Sequence, residues 1–190
     1  MEKFPYDKAE FENIGCNFCG GQDFEVLSRK GQDNLPLRAV ICKNCGLIFI
    51  NPRMTKEWYA RYYQGEYRAK TIENNPSRLF DFEALFQEGY RHGIALAELV
   101  KPYLKGAKPV LEVGSGVGGV LSGLRKILGL EVLGIEPSGQ EAVFAGNKGI
   151  KTLNFLVEEV DEKTKNLDKF SMVICTQSLN HLLDPAFFLR

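Results

Sequence analysis

From residue 108 onward, short apolar runs alternate with stretches of helical spacing. Pro109–Val113, Glu131–Glu136, Ile150–Leu153 and Phe170–Thr176 read as strands. Between them, Val117–Leu128 reads as a helix closed by Gly129, and Gly139–Asn147 as a helix capped by Ser138. Val157–Lys169 is polar, a short helix or a loop, and Asp184-Pro185 opens another helix with proline at its first position. Such alternation builds a parallel sheet with right-handed crossovers. Upstream, Leu79, Phe82, Leu85, Phe86, Tyr90, Ile94, Ala97 and Val100 recur at helical spacing, which predicts a helix from Arg78 to about Leu104. Asn74-Asn-Pro-Ser77 breaks the chain before it and offers Ser77 as the cap, while Gly89 and Gly93 are candidate interruptions. Earlier still, Phe24–Ser28, Leu37–Ile41 and Leu47–Ile50 read as strands, and Thr55 as the cap of a short helix, Lys56–Tyr63.

Two matching knuckles punctuate those first strands. Cys16-Asn-Phe-Cys19-Gly and Cys42-Lys-Asn-Cys45-Gly are separated by 22 residues. Each places two thiolates on one tight turn, and the following glycine accepts a left-handed backbone that aims amides at sulfur. Four thiolates at the ends of a hairpin make a closed tetrahedral site suited to structural zinc. A redox pair would not need duplicating, and disulfides would call for a secretory signal that is not seen. Cys16, Cys19, Cys42 and Cys45 are therefore the expected zinc ligands, holding up a module whose apolar core is too small to fold alone.

The densest signal is Val110-Leu-Glu-Val-Gly-Ser-Gly-Val-Gly-Gly119, with four glycines in six positions after an apolar run. It reads as a buried strand turning into a helix with its amides exposed to a ligand. The glycine spacing suits a dinucleotide or S-adenosylmethionine (SAM). Glu112 separates them, because pyrophosphate has no use for a carboxylate there, whereas SAM carries an ammonium and a sulfonium. Glu136, ending the second strand, can accept ribose hydroxyls in either case.

Residues 170–185 then carry a resemblance. With Val110–Gly119 and Leu133-Gly-Ile-Glu136, the stretch Phe170-Ser-Met-Val-Ile-Cys-Thr-Gln-Ser-Leu-Asn-His-Leu-Leu-Asp-Pro185 resembles the class I SAM-dependent methyltransferases. Ser171 stands where that family commonly has an acid, and Asn180 where Glu commonly precedes His181. The cysteine ribbon, Asn51-Pro-Arg53 and the Tyr-rich helix look like the subgroup with an N-terminal zinc ribbon, whose members act on nucleotide sugars and other small metabolites. The resemblance implies an α/β protein: a zinc ribbon over 1–54, a helical connector over 55–107 and an incomplete Rossmann-like sheet with helices on both faces over 108–190. It implies SAM held by Glu112, Gly114, Ser115, Gly116, Gly118, Glu136, Pro137 and Gln177, with adenine near Pro137 and 154–156. His181 is the candidate general base, against a packing role at a helix start. The family's sheet has about seven strands and this chain supplies four, so a continuation, a second copy or a partner chain is expected to cover the edge of the fourth. The acceptor would be a small molecule.

Composition adds limits. Formal net charge is zero, which argues against a dedicated nucleic-acid binder. Nevertheless, Arg29–Lys70 holds nine Lys or Arg against Asp33, Glu57 and Glu66, so RNA methyl transfer through the ribbon is an alternative, as is a non-catalytic interaction subunit. No run is long and apolar enough to span a membrane, and Met1-Glu-Lys-Phe lacks a signal peptide's apolar core, so the expected setting is cytoplasmic. Trp58, Tyr59, Tyr62, Tyr63 and Tyr67 are expected to pack domain against domain rather than to reach a ligand. His92 is expected at the surface or in packing.

Overall fold

The computed structural model describes residues 5–31, 37–66, 81–160 and 170–189. Tyr67, the expected break and cap at 74–77, the first residues of the long helix and the polar stretch 161–169 lie outside them. The chain divides into two compact units, Met1–Tyr62 with Leu183–Arg190, and Tyr63–Leu182.

In the first unit, β2 (Phe24–Ser28), β3 (Ala39–Cys42) and β4 (Ile48–Ile50) form an antiparallel meander. Alternation along β3 buries Val40 and Cys42, and Phe24 meets Phe49 edge to face at 5.4 Å between centroids. β1 (Phe11–Glu12) pairs with β5 (Arg53–Met54), a contact too short to leave a period in the sequence. Asn51, 2% exposed, ties this pair to the ribbon by accepting from the Ile14 amide and donating to the Ile14 carbonyl, both at 3.1 Å. Thr55 occupies the cap position of α1 (Lys56–Arg61), but its hydroxyl makes no capping bond and is buried without a partner. The expected side-chain cap is therefore not made, and the helix gives way to a wider turn, Tyr62–Glu66.

The second unit opens on α2 (Phe82–Val100), whose cap is Asp81, accepting from the amides of Glu83 and Ala84 at 2.9 and 3.1 Å. There follow β6 (Val110–Val113), α3 (Gly119–Leu128), β7 (Val132–Ile135), α4 (Gly139–Asn147), β8 (Thr152–Leu153) and β9 (Met172–Ile174). The four strands are parallel in the order β8-β7-β6-β9. All residues of β6 and β7 are buried, as expected of central parallel strands. Val110 and Val132 pack with Ala97, Leu121, Leu124, Ala145 and Ile150, so α2, α3 and α4 share one face. From β8 the chain steps back across the sheet to β9, and Phe155, Leu156 and Val157, which follow β8, are buried. The reversal leaves a crevice at the carboxyl ends of β6 and β9, where open sheets of this type bind ligands.

Gly89 and Gly93 do not interrupt α2. They face Gly119 and Gly123, and two backbones meet there without side chains between them. A Cβ on Gly93 would strike the Val120 carbonyl, and one on Gly123 would strike the Tyr90 carbonyl. After β9 the chain makes a 3-10 turn, Leu179–His181, and re-enters the first unit at Leu183, where α5 (Pro185–Phe188) is capped by Asp184 accepting from the Phe187 amide at 3.0 Å.

Close backbone contact gives a test of sign. In an exposed helix, Gly→Ala adds stability of about 1 kcal/mol. Gly93→Ala is expected instead to destabilise by about 1–3 kcal/mol, since Val120 must move; urea unfolding measures which term prevails.

Candidate active site and cysteine cluster

The glycine turn is left-handed at three positions, with φ of +72° at Gly114, +52° at Gly116 and +79° at Gly118. A side chain on Gly114 would overlap Ser178, so the loop after β9 lies directly on the turn. Gly118 is the left-handed cap of α3, which starts at Gly119 instead of Val117, and a Cβ there would crowd Ala145 and Ile150. The turn hangs from β7 through Gly114 and Ser115 amides donating to the Ile135 carbonyl at 2.8 and 3.2 Å.

Three carboxylates are buried around it: Glu112 at 1% exposure, Glu136 at 8% and Glu141 at 2%. Glu112 Oε1 accepts from the Thr176 hydroxyl, while Oε2 has no partner. Burial pushes the Glu112 carboxyl up to about 8, against the pull of the Thr176 bond and with help from the Glu136 charge. Glu136 spends its oxygens on the backbone, Oε2 accepting from the Gly116 amide at 2.9 Å and Oε1 from the Ser138 amide at 2.8 Å. Ser138 caps α4 by position, with no side-chain bond. Glu141 stands on the buried face of α4, and its Oε2 lies 3.0 Å from where a Gly116 Cβ would be.

Two cavities flank the turn, of about 280 and 210 Å³, and both are lined by Gly114, Gly116, Glu141, Thr176 and Gln177. The larger adds Glu136, Pro137, Leu156, Val157, Tyr63 and His181; the smaller adds Glu112, Ser115, Glu88 and His92. Gln177, at the neck between them, holds φ of +56°, a left-handed backbone unusual outside glycine. Asn154 donates to the carbonyls of Glu136 and Pro137, two residues of the larger cavity's lining, at 2.8 and 2.9 Å. His181 Nδ1 and Tyr63 Oη are 2.8 Å apart. Tyr63, one of the tyrosines expected to pack domain against domain, lines the larger cavity.

Of the residues expected around a cofactor, Glu112, Gly114, Ser115, Gly116, Glu136, Pro137 and Gln177 thus line one or both cavities. Gly118 lines neither and acts on the turn. Glu141, Thr176 and Tyr63 were missed. Glu141 left a trace, since it precedes the core residue Ala145 by one helical turn and must share its face.

A sequence profile described as "Methyltransferase domain" matches residues 67–190. The chain belongs to the methyltransferase-domain family. No curated protein matches it. Among solved structures, the chain is similar to the plantazolicin methyltransferase BpumL in complex with SAH (18% identity, TM-score 0.43, covering 69% of this chain and 50% of that one). It is also similar to the CcbJ methyltransferase from Streptomyces caelestis (26%, 0.34, 44% and 34%) and to DesVI from Streptomyces venezuelae (18%, 0.41, 56% and 48%). The chain spans half or less of each of these proteins.

The cysteine knuckles precede the matched methyltransferase domain and repeat one geometry. In each, the glycine after the second cysteine is left-handed, Gly20 at +72° and Gly46 at +79°, and its amide donates to the carbonyl of the first cysteine at 2.8 Å. All four sulfurs lie within 4.8 Å of one another, with Cys16–Cys45 at 3.5 Å and Cys19–Cys42 at 3.6 Å, and none is in a disulfide. A zinc ion with Zn–S of about 2.3 Å sets sulfurs about 3.8 Å apart, so the cluster fits one. Although burial raises the Cys42 thiol, the amides of Cys45 and Asn44 and the neighbouring thiols outweigh it and bring it down to about 7.

Of the carboxylates around the turn, Glu112 carries the raised value, and the sign of its effect is fixed. Its folded value of about 8 lies above the ordinary 4.5, so between those values the folded chain keeps a proton the unfolded chain has released. That contribution is full below pH 4.5 and lost as pH rises through 8. Glu112→Gln is expected to be more stable than the parent at pH 9 by more than about 1 kcal/mol, with the difference shrinking toward pH 5 in denaturant titrations.

Proposed function

We propose that this chain binds SAM at the glycine turn and directs its methyl group to a small-molecule acceptor, of a sugar or comparable polar metabolite. The observation that carries this is the set of three buried carboxylates, one with an unpartnered oxygen. A cationic ligand would draw the proton from Glu112 and pair with the carboxylates, whereas an anionic pyrophosphate would meet Glu136 with like charge in a low dielectric and gain nothing from a protonated Glu112, which disfavours an NAD site. On this reading Glu112 and Glu141 face the ammonium end beside the smaller cavity. Glu136 accepts the ribose hydroxyls, and Pro137, Leu156 and Val157 enclose the adenine in the larger one.

The cofactor supplies an activated methyl on a sulfonium, transferred by in-line displacement. The chain's residues orient the acceptor and remove its proton. Because Tyr63 engages Nδ1 of His181, Nε2 is the ring atom assigned to take the acceptor's proton, and Tyr63 sets the tautomer that allows it. The four cysteine thiolates are proposed to hold one structural zinc. With no open coordination position, it takes no part in the chemistry. A cytoplasmic setting and a further chain or segment along β9 belong to the same reading.

Calorimetry with S-adenosylhomocysteine (SAH) and NAD on one zinc-assayed sample tests this. One SAH site and one zinc per chain are expected, with no NAD binding. Removing a charge-assisted acceptor in Glu136→Ala is expected to weaken SAH by about 1.5–3 kcal/mol, tenfold or more. Binding of NAD in preference to SAH would refute the assignment.

A further inference from the structure

SAM ends in an α-amino acid, so a ligand that offers its ammonium to Glu112 and Glu141 brings a carboxylate on the same carbon. Among the described residues, neither cavity beside the turn is lined by lysine or arginine, and Glu88, Glu112 and Glu141 all line the smaller one. A carboxylate entering there meets like charge unless a donor or a cation offsets it. Of the residues lining the smaller cavity, His92 alone can carry positive charge.

The fold puts His92 there through the packing of two helices. Leu85, Glu88, Gly89 and His92 recur at i, i+3, i+4 and i+7 along α2, so they share one stripe, and that stripe lines the smaller cavity. The glycines draw α2 inward, since a Cβ on Gly89 would crowd the Gly119 backbone and one on Gly93 would strike the Val120 carbonyl. His92, one residue before Gly93, is thereby held beside Gly119 and Val120, the first two residues of α3, which line the same cavity. No side chain caps α3, so its first amides are left as donors. The buried and unpartnered Oε2 of Glu112, in the same lining, is a separate sign that this cavity takes a ligand. His92 itself is exposed on α2, and an imidazole donates a ring N–H whether neutral or charged.

We propose that His92 is a specificity-determining residue: its ring N–H and the first amides of α3 donate to the carboxylate of SAM's amino acid. Buried acids alone would accept any aminopropyl adenosine. With His92 opposite them, the smaller cavity selects an α-amino acid over a plain amine. The proposal rests on the reading of the turn as a SAM site and extends it to the carboxylate.

Calorimetry on the zinc-loaded chain with SAH and with S-adenosyl-3-thiopropylamine, which is SAH without its carboxylate, tests this. The parent is expected to prefer SAH. In His92→Ala, SAH affinity is expected to fall about tenfold, with affinity for the amine unchanged. His92→Lys, which restores a cation at the same place, is expected to recover most of the preference. Unchanged SAH affinity in His92→Ala, or an equal loss for both ligands, would overturn the proposal and leave SAM binding intact. A parent chain that binds neither ligand would refute the SAM site itself and this proposal with it, so the two failures are told apart.

Discussion

Three carboxylates are kept out of water around a single left-handed turn, and the second unit is arranged to make that tolerable. Glu136 is compensated by two backbone amides, one of them from the turn itself. Glu112 is compensated on one oxygen only, and burial drives it to hold a proton at neutral pH. Burying an unpartnered carboxyl oxygen costs stability, and on the proposed function that cost is offset by pairing with a positively charged ligand. The glycines follow from the same constraint. With side chains at Gly114 or Gly116, Ser178 or Glu141 would have to retreat, and the turn could not lie between the acids.

The packing of the unit serves this placement. Gly89 and Gly93 let α2 lie against the first turns of α3, which brings Glu88 and His92 to the rim of the smaller cavity. After β8, the buried Leu156 and Val157 line the larger cavity with Pro137. The ribbon follows a different principle. Its sheet buries little beyond Val40 and Cys42, the four cysteine sulfurs converge within 4.8 Å of one another, and Leu183, buried in the same unit, accepts from Asn17 at 2.8 Å.

Features that depend on local spacing were legible in the sequence. The cysteine knuckles, the glycine turn, the parallel alternation and the acids at 112 and 136 each announce themselves within a few residues, and the family resemblance rests on them. What was not legible depends on which surfaces meet. Gly89 and Gly93 look like helix breakers until Gly119 and Gly123 are placed opposite them, although the shared four-residue spacing was a clue. Tyr63 is one tyrosine among several, and only the fold selects it for His181. Thr55 has the right type and position for a cap, yet its hydroxyl is turned inward. Asp81, which no apolar period marks, supplies the cap of α2.

The central claim is that the acids around the turn recognise positive charge, beyond the adenosine that many nucleotide sites would accept. It is tested most directly by comparing SAH with 5′-methylthioadenosine, which keeps the nucleoside and sulfur but lacks the amino-acid end. SAH is predicted to bind at least about tenfold more tightly, and the advantage is predicted to shrink in Glu112→Gln and Glu141→Gln. Equal affinity for the two ligands, or an advantage untouched by removing either acid, would contradict the account.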